Sequence, residues 1–375
     1  MILPVVPLSA LLALSSPPET EIAHRPALPT ELGKAEPAVK CAHDVEAKLT
    51  SSQTLTPAVL DFNTASLIDP SRSEHLQGIA RYDRDGRSYL FVSQSRKGMK
   101  AGILATVEMG TRDGGVWRSN RQLASRGLDG MYLPPPQADR VIAVKTDEGF
   151  SQYNHPGGLA IVGDVLAIGM EGAHDETVHP RGRVDFYRIE SPTSLRLITS
   201  LANSGQYASS VAFTRLASGH YLLAVSDNSP KNIRLYRSTG AGEFDDSTEF
   251  EELAVFTESD LAPGDNKYFQ NLDFITDCAS GRLYMVLAFQ DHDFWGLSRK
   301  NRLARYEIMT PGETPALRRL GIQKISCDPP LASNTCSFDA SFGAYVTSEG
   351  QLVYYSSESR NTGMNGSVNF GELVP

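Results

Sequence analysis

The chain lacks several features, and each absence removes a class of function. No run of five or more basic residues occurs in its 375 residues, and the formal net charge is −9. Nucleic-acid binding, which rests on clustered positive charge, is therefore not expected. No stretch approaches the ~20 consecutive apolar residues that span a bilayer, so no membrane span is read. There is no CxxC among the four cysteines, which removes zinc ribbons and thioredoxin-type sites. Neither GxSxG, GxxxxGK[ST] nor a GxGxxG after a strand is present, so serine-hydrolase, nucleotide and dinucleotide readings have no local support. Tryptophan is scarce at two residues, while Gly (31) and Pro (22) are plentiful and only 21% of residues are charged. That balance suits strands joined by many turns.

What is present is a repeat. GIARYDRDGRSYLFVSQS from Gly78, GLAIVGDVLAIGME from Gly158, SVAFTRLASGHYLLAVSD from Ser210, NLDFITDCASGRLYMVLAFQD from Asn271 and SFGAYVTSEGQLVYYSSE from Ser341 share one pattern. A small or amide residue opens an apolar strand, a turn that usually carries Gly follows, and a second apolar strand ends in polar residues. That is a repeated β-hairpin. A third strand follows each one: GILATVEM, GRVDFYRI, NIRLYRS, NRLARYEI and GSVNFGEL. In four repeats a fourth segment comes next: VWRSNRQLA, LRLITSL, EFEELAVF and LRRLGIQKI.

Four antiparallel strands repeated radially predict an all-β fold, a five-bladed β-propeller of four-stranded blades. The fifth repeat has no fourth strand before Pro375, so TPAVLDFN (Thr56 to Asn63) is expected to supply it and close the ring. RVIAVK (Arg140 to Lys145) is left without a place, and six blades stay open on its account. The expected boundaries are a signal peptide at 1–23, a Pro-rich, loosely packed leader at 24–55 and the propeller domain at 56–375. The apolar run through Leu14 followed by Ser, Pro and Glu reads as an export signal, which points to a secreted or periplasmic protein. Cys327 and Cys336 bracket a turn-rich loop and are expected to pair, leaving Cys41 for Cys278. With no coiled coil to suggest assembly, the chain is read as a monomer.

In a propeller, residues just before each first strand and just after each second strand converge around the central channel. By the repeat alignment, five of eight histidines fall there: His75, His155, His174, His179 and His292. Candidate catalytic residues are His75, His155, Glu171, Asp339 and Glu358, since imidazoles beside carboxylates supply acid and base. The same five histidines are candidate ligands for a divalent metal, calcium or zinc. Gln77, Asn154, Tyr207, Tyr268, Gln270, Asn271, Asp227, Arg96 and Arg360 are the candidate substrate-binding residues. The five sets differ from repeat to repeat, which favours one asymmetric pocket over a lectin-like array. The turns of the opposite face, DRDGRS, LASGH, DCASGR and TSEGQ, read as ordinary hairpin loops.

HLQGIARY, NHPGGLAIVGDVLAI, ASSVAFTRLASGHYLLAVSD and YFQNLDFITDCASGRLYMV resemble a family of exported microbial five-bladed β-propellers of unsettled activity. The likeness covers Glu74 to Ser359; it implies the fold and extracytoplasmic placement and no catalytic assignment. At the level of architecture the chain is also similar to five-bladed glycoside hydrolases of the arabinanase and levansucrase type. That resemblance implies acidic residues around the channel, one at the start of the first blade's inner strand. Gln77 and Gly78 stand there instead, and only the fifth repeat offers an acid, Asp339. Glu171, Asp227 and Glu358 at second-strand ends leave room for two acids to flank a sugar. The expected function is an exported propeller enzyme, of hydrolase or lyase type, acting on a small polar molecule or glycan. The alternative is a non-catalytic glycan- or protein-binding propeller.

Overall fold

The computed structural model describes residues 40–50, 53–55, 58–63, 76–94, 102–109, 140–145, 155–172, 181–204, 207–226, 232–261, 269–292, 299–310, 314–327, 337–357 and 367–375. A six-residue helix, α1 (Val45–Thr50), and two short strands, β1 (Gln53–Leu55) and β2 (Ala58–Asn63), precede the repeats. The first repeat forms β3 (Leu76–Arg84), β4 (Arg87–Gln94), β5 (Ile103–Glu108) and β6 (Arg140–Lys145). The second forms β7 (His155–Val162), β8 (Val165–Glu171), β9 (Arg181–Ser191) and β10 (Ser194–Ser204). The third gives β11 (Ser210–Arg215), β12 (Tyr221–Ser226), β13 (Asn232–Ser238) and β14 (Phe250–Thr257). The fourth gives β15 (Phe269–Thr276), β16 (Leu283–His292), β17 (Arg299–Met309) and β18 (Ala316–Cys327). The fifth gives β19 (Ser337–Val346), β20 (Leu352–Ser357) and β21 (Ser367–Leu373).

Within each repeat, consecutive strands pair antiparallel, which the two-residue periodicity and tight turns favour. The β3–β4 turn shows why: Asp85 and Gly86 both take positive φ, at 52° and 71°. That is the conformation a two-residue hairpin needs to match strand twist, and Asp-Gly adopts it readily. The fold is all-β and propeller-like. First strands meet in a cycle, β3 on β7, β7 on β11, β11 on β15, β15 on β19 and β19 on β3. Apolar clusters fill the spaces between successive repeats, for example Phe91 with Ile168, Phe186 with Phe213, Leu235 with Met285, Val286 with Phe342, and Leu90 with Tyr355. Each such side chain, once fully buried, contributes about 1.5–3 kcal/mol. Burial falls from the inside out: β12 is buried throughout, whereas β14 is largely open to solvent.

Small residues open the first strands because neighbouring backbones nearly touch there. A Cβ at Gly78 would lie 2.6 Å from the backbone nitrogen of Leu159, and one at Gly157 would collide with the carbonyl of Ser209.

Two expectations change. The fourth strand of repeat one is β6, paired antiparallel with β5 from Leu104↔Lys145 to Glu108↔Arg140. RVIAVK thus takes the place expected for VWRSNRQLA, which lies outside the described residues, and the strand that kept six blades open is used. The second change concerns the leader. Within residues 40–50, Ala42, Val45 and Leu49 are fully buried in the cluster between repeats four and five. β1 adds to β18 in parallel, Ala42 bridges Asp277, and Cys41 is disulfide-bonded to Cys278. Three apolar side chains and the covalent tie outweigh the entropy of an otherwise polar segment. The expected closure is found, since β2 pairs antiparallel with β21 from Ala58↔Glu372 to Asn63↔Ser367.

Candidate functional site

At the end of the ring where first strands begin, side chains from four repeats form one connected network. His155 opens β7 and Glu171 ends β8, directly opposite each other in the ladder. The His155 Nδ1 lies 2.7 Å from Glu171 Oε2. At that separation two lone pairs repel, so Nδ1 carries the proton and faces the carboxylate in a close charge contact, bent away from hydrogen-bond geometry. Nε2 of His155 is 2.6 Å from Gln77 Nε2, at the start of β3. The amide there donates and the imidazole accepts, which is the tautomer Glu171 imposes. Ser209, just before β11, donates its hydroxyl to the other oxygen of Glu171. Asn271 in β15 reaches across the channel and donates its amide to the Gln77 carbonyl at 3.1 Å. Ser93 at the end of β4 accepts from the Gly78 amide at 2.8 Å and donates to the Gly157 carbonyl at 2.5 Å.

Gln77, Glu171, Ser209 and Asn271 are all buried, and His155 is partly open at 14% side-chain exposure. His155 is therefore the member of the network that solvent or a ligand reaches. A local irregularity in the strands produces this convergence. Register shifts interrupt β3 between Leu76 and Ile79, β7 between Pro156 and Leu159, β15 between Phe269 and Asn271, and β19 between Ser337 and Phe342. A bulge lifts a residue out of the ladder; Gln77, whose side chain meets His155, falls in the first interruption, and Gly157, Gln270 and Asp339 occupy backbone positions in the others. At the fourth repeat a similar amide contact joins Gln290 Nε2 to Asn301 Oδ1 at 2.8 Å, and Asn301 Oδ1 also accepts from the Phe338 amide.

Of the residues expected at this mouth, His155, Glu171, Gln77 and Asn271 come together. Tyr207 stands half-buried three residues before β11. Gln270 lies in β15, Asp339 in β19 and His292 at the end of β16, where it pairs with Arg299 in the ladder. His75, Asn154, His174, His179, Tyr268, Asp227, Arg96, Glu358 and Arg360 lie outside the described residues, as does Cys336 and with it the expected Cys327–Cys336 bond. Ser93 and the amide of Asn301 were not singled out in the sequence. A small polar residue at a second-strand end, or an amide opening a third strand, was the available signal.

Among the described residues no group of three His, Cys, Asp or Glu side chains is placed to hold a metal ion. His155 itself does not fit one, because one ring nitrogen faces Glu171 and the other Gln77.

The opposite end of the channel holds a different arrangement. Asp83 at the end of β3 meets Arg81 Nε at 2.9 Å, Lys40 Nζ at 3.4 Å and the hydroxyl of Tyr345. Arg81 continues to the Tyr355 hydroxyl at 3.0 Å, and Tyr355 donates to Glu372 at 2.7 Å. Burial alone would raise the Asp83 carboxyl, but Arg81 and the bonds from Tyr345 and Ser88 hold it below the usual range. Burial pushes the Tyr345 hydroxyl well above its ordinary value, and Asp83 adds to the shift. Asp273 in β15 has no cation beside it among the described residues; burial drives its carboxyl well up, against one hydrogen bond from the Ala344 amide at 3.0 Å.

No family model and no curated protein matches the chain. Three solved structures bear a loose likeness to it. The GH43_1 enzyme from Xanthomonas citri complexed with xylotriose is 11% identical, with 82% of this chain and 90% of that one covered at a TM-score of 0.44. The GH32 beta-fructofuranosidase BmSUC1 of Bombyx mori is 11% identical, covering 82% and 63% at 0.46. The catalytic domain of the Coprinopsis cinerea GH62 alpha-L-arabinofuranosidase is 10% identical, covering 85% and 97% at 0.39. Likeness this loose fixes neither fold nor activity.

Proposed function

We propose that the chain is an exported, five-bladed β-propeller enzyme, of hydrolase or lyase type, acting on a small polar molecule or glycan at the His155 mouth. One observation carries the reading: an imidazole oriented by a buried carboxylate is the solvent-reachable member of a network built from four repeats. Glu171 fixes the Nδ1–H tautomer, so the Nε2 lone pair points to where Gln77 now donates. A substrate hydroxyl or water that displaces the Gln77 amide meets a proton acceptor already oriented. The imidazolium formed is then stabilised by Glu171, whose other oxygen is held by Ser209.

Asn271 acts through Gln77 in this reading, as a positioning residue rather than the substrate ligand expected from sequence. Asp339 and the residues outside the described set, His75 and Glu358 first among them, are assigned as the remaining acid or binding groups. The cyclic contact of first strands and the β2–β21 pairing support five blades. The Cys41–Cys278 bond supports an oxidising, extracytoplasmic location, and no helix among the described residues is long and apolar enough to cross a membrane.

The test is hydrolysis or elimination across a panel of plant and microbial oligosaccharides, with wild type and His155→Ala side by side. Turnover in wild type should fall by about 10²–10⁴ in the variant, with an unchanged urea midpoint. Full activity in a folded His155→Ala protein would overturn the assignment. A second reading, non-catalytic glycan or protein recognition, draws on the contacts that Gln77 and Glu171 already make with both ring nitrogens of His155 in the resting network. It predicts binding without turnover, lost in the same variant.

A further inference from the structure

The hairpin-turn end of the channel opens into a cavity of about 800 Å³, large enough for a ligand of one or two sugar rings. Its walls are the C-terminal ends of the first strands, not the mouth that carries His155. Asn271, crossing to the Gln77 carbonyl, lies between the two ends. Asp273, two residues further along β15 and so on the same side of the strand, is the β15 residue lining the cavity nearest to it.

Three features of this cavity point to one kind of ligand. Asp273 is 92% buried by its 8% exposure, and one oxygen is committed to the Ala344 amide. Asp273 lines the cavity, and the buried Tyr354 hydroxyl of β20, outside that lining, is a titratable group that feels its charge. Burial favours the protonated form of this carboxyl, which is a hydrogen-bond donor and calls for an acceptor. The second feature is charge. Lys40, Arg81, Arg188, Arg196 and Arg215 line the cavity, against Asp83, Asp164 and Glu243. Arg81 and Lys40 share Asp83, Arg188 pairs with Asp164 at 2.6 Å, and Arg196 pairs at 3.0 Å with Glu190 from outside the lining. With Asp273 in its protonated form, five bases face Asp83, Asp164, Glu243 and the outlying Glu190, which leaves one positive charge in a chain whose net charge is −9. It suits a monoanion, and it repels the amine that an ionised Asp273 would otherwise attract. The third feature is the presence of Thr214 and Tyr82 in the wall beside the charges.

We propose that this cavity binds a small hydroxylated monocarboxylate of the sugar-acid type, its carboxylate held by Asp273 at the inner end and its negative charge favoured by the basic side chains toward the rim. A carboxylic acid facing a carboxylate shares one proton in a short hydrogen bond, which an isosteric neutral sugar cannot form. This site does not depend on the chemistry assigned to His155.

Isothermal titration of the full chain with glucuronate, glucose and glucosamine tests it. Glucuronate should bind, and glucose and glucosamine should be at least about tenfold weaker. Asp273→Ala and, at the exposed rim, Arg196→Glu should each weaken glucuronate by about tenfold, whereas His155→Ala should not. The Arg196 variant keeps the test open where the Asp273 variant fails to fold. No glucuronate binding, equal affinity for glucose, or binding lost in His155→Ala and kept in Asp273→Ala would each overturn the proposal.

Discussion

The two ends of the channel solve the problem of burying polar groups in opposite ways. Among the described residues at the His155 end, neutral amides and hydroxyls surround the Glu171 carboxylate, and the His155 imidazole is the outlet. At the turn end, charges are concentrated: Asp83 binds Arg81, Lys40 and Tyr345 together, while Asp273 sits a few residues away with only a backbone amide. The difference teaches that the same strands, read from one end to the other, pass from a site organised by hydrogen-bond direction to one organised by charge. Direction suits proton transfer at a fixed atom; charge suits selection of an ion.

That contrast can be broken at either end. The largest effect is expected for Glu171→Ala, which releases the His155 tautomer and leaves Ser209 without its acceptor. Turnover should drop by about 10²–10³ while glucuronate binding at the turn end stays as in wild type; equal loss of both would show the ends to be one site. Arg81→Ala should destabilise the fold by about 2–3 kcal/mol in urea denaturation, since it strips Asp83, Ser88 and Tyr355 of a shared donor. Glu171→Gln, which keeps shape and a hydrogen bond, should cost less than that. Cys41→Ser removes a tie closing 237 residues of sequence and is expected to cost about 2–5 kcal/mol; a smaller loss would mean that Ala42, Val45 and Leu49 alone hold the segment.

The smallest effect distinguishes the two acids of the turn end by sign. Asp83 has a depressed folded pKa, so its contribution is present above the usual carboxylate range and is lost as pH falls through the folded value. Asp273 has a raised one, so the folded state holds an extra proton and stability declines as pH rises from the usual range toward the folded value. Asp273→Asn should therefore raise stability at neutral pH and flatten that decline, and Asp83→Asn should flatten the acid limb instead. Denaturation midpoints measured from pH 3 to pH 9 read both; a stability loss at neutral pH in Asp273→Asn would contradict the assignment.

Much of this was legible in the sequence because it rests on period and turn chemistry. Asp85-Gly86 marks a hairpin by itself, and TPAVLDFN is an apolar strand with no partner in its own neighbourhood, so its pairing with β21 followed from closure. His155 and Glu171 were found together because they sit at equivalent ends of one hairpin. The bulges were not legible: alternation in HLQGIARY gives no hint that Gln77 leaves the ladder to meet His155. Nor was β6, since the 30 residues between Met109 and Arg140 offered VWRSNRQLA nearer at hand. Asp273, in the apolar run NLDFIT, looked like an ordinary alternating strand position, and the turn DRDGRS concealed Asp83. Only the three-dimensional approach of Ala344, Tyr345 and the Lys40 segment gives those acids their distinct environments. Asn271, expected to touch substrate, spans the channel because the ring brings repeat four opposite repeat one.

The most direct measurement is the protonation pattern of the His155 ring, from long-range ¹⁵N–¹H correlation on the histidine-labelled protein. The account predicts the neutral ring with its proton on Nδ1 toward Glu171 and a lone pair on Nε2. A ring protonated on Nε2 alone would contradict it, because His155 would then face the channel as a donor and Glu171 would not be its orienting partner.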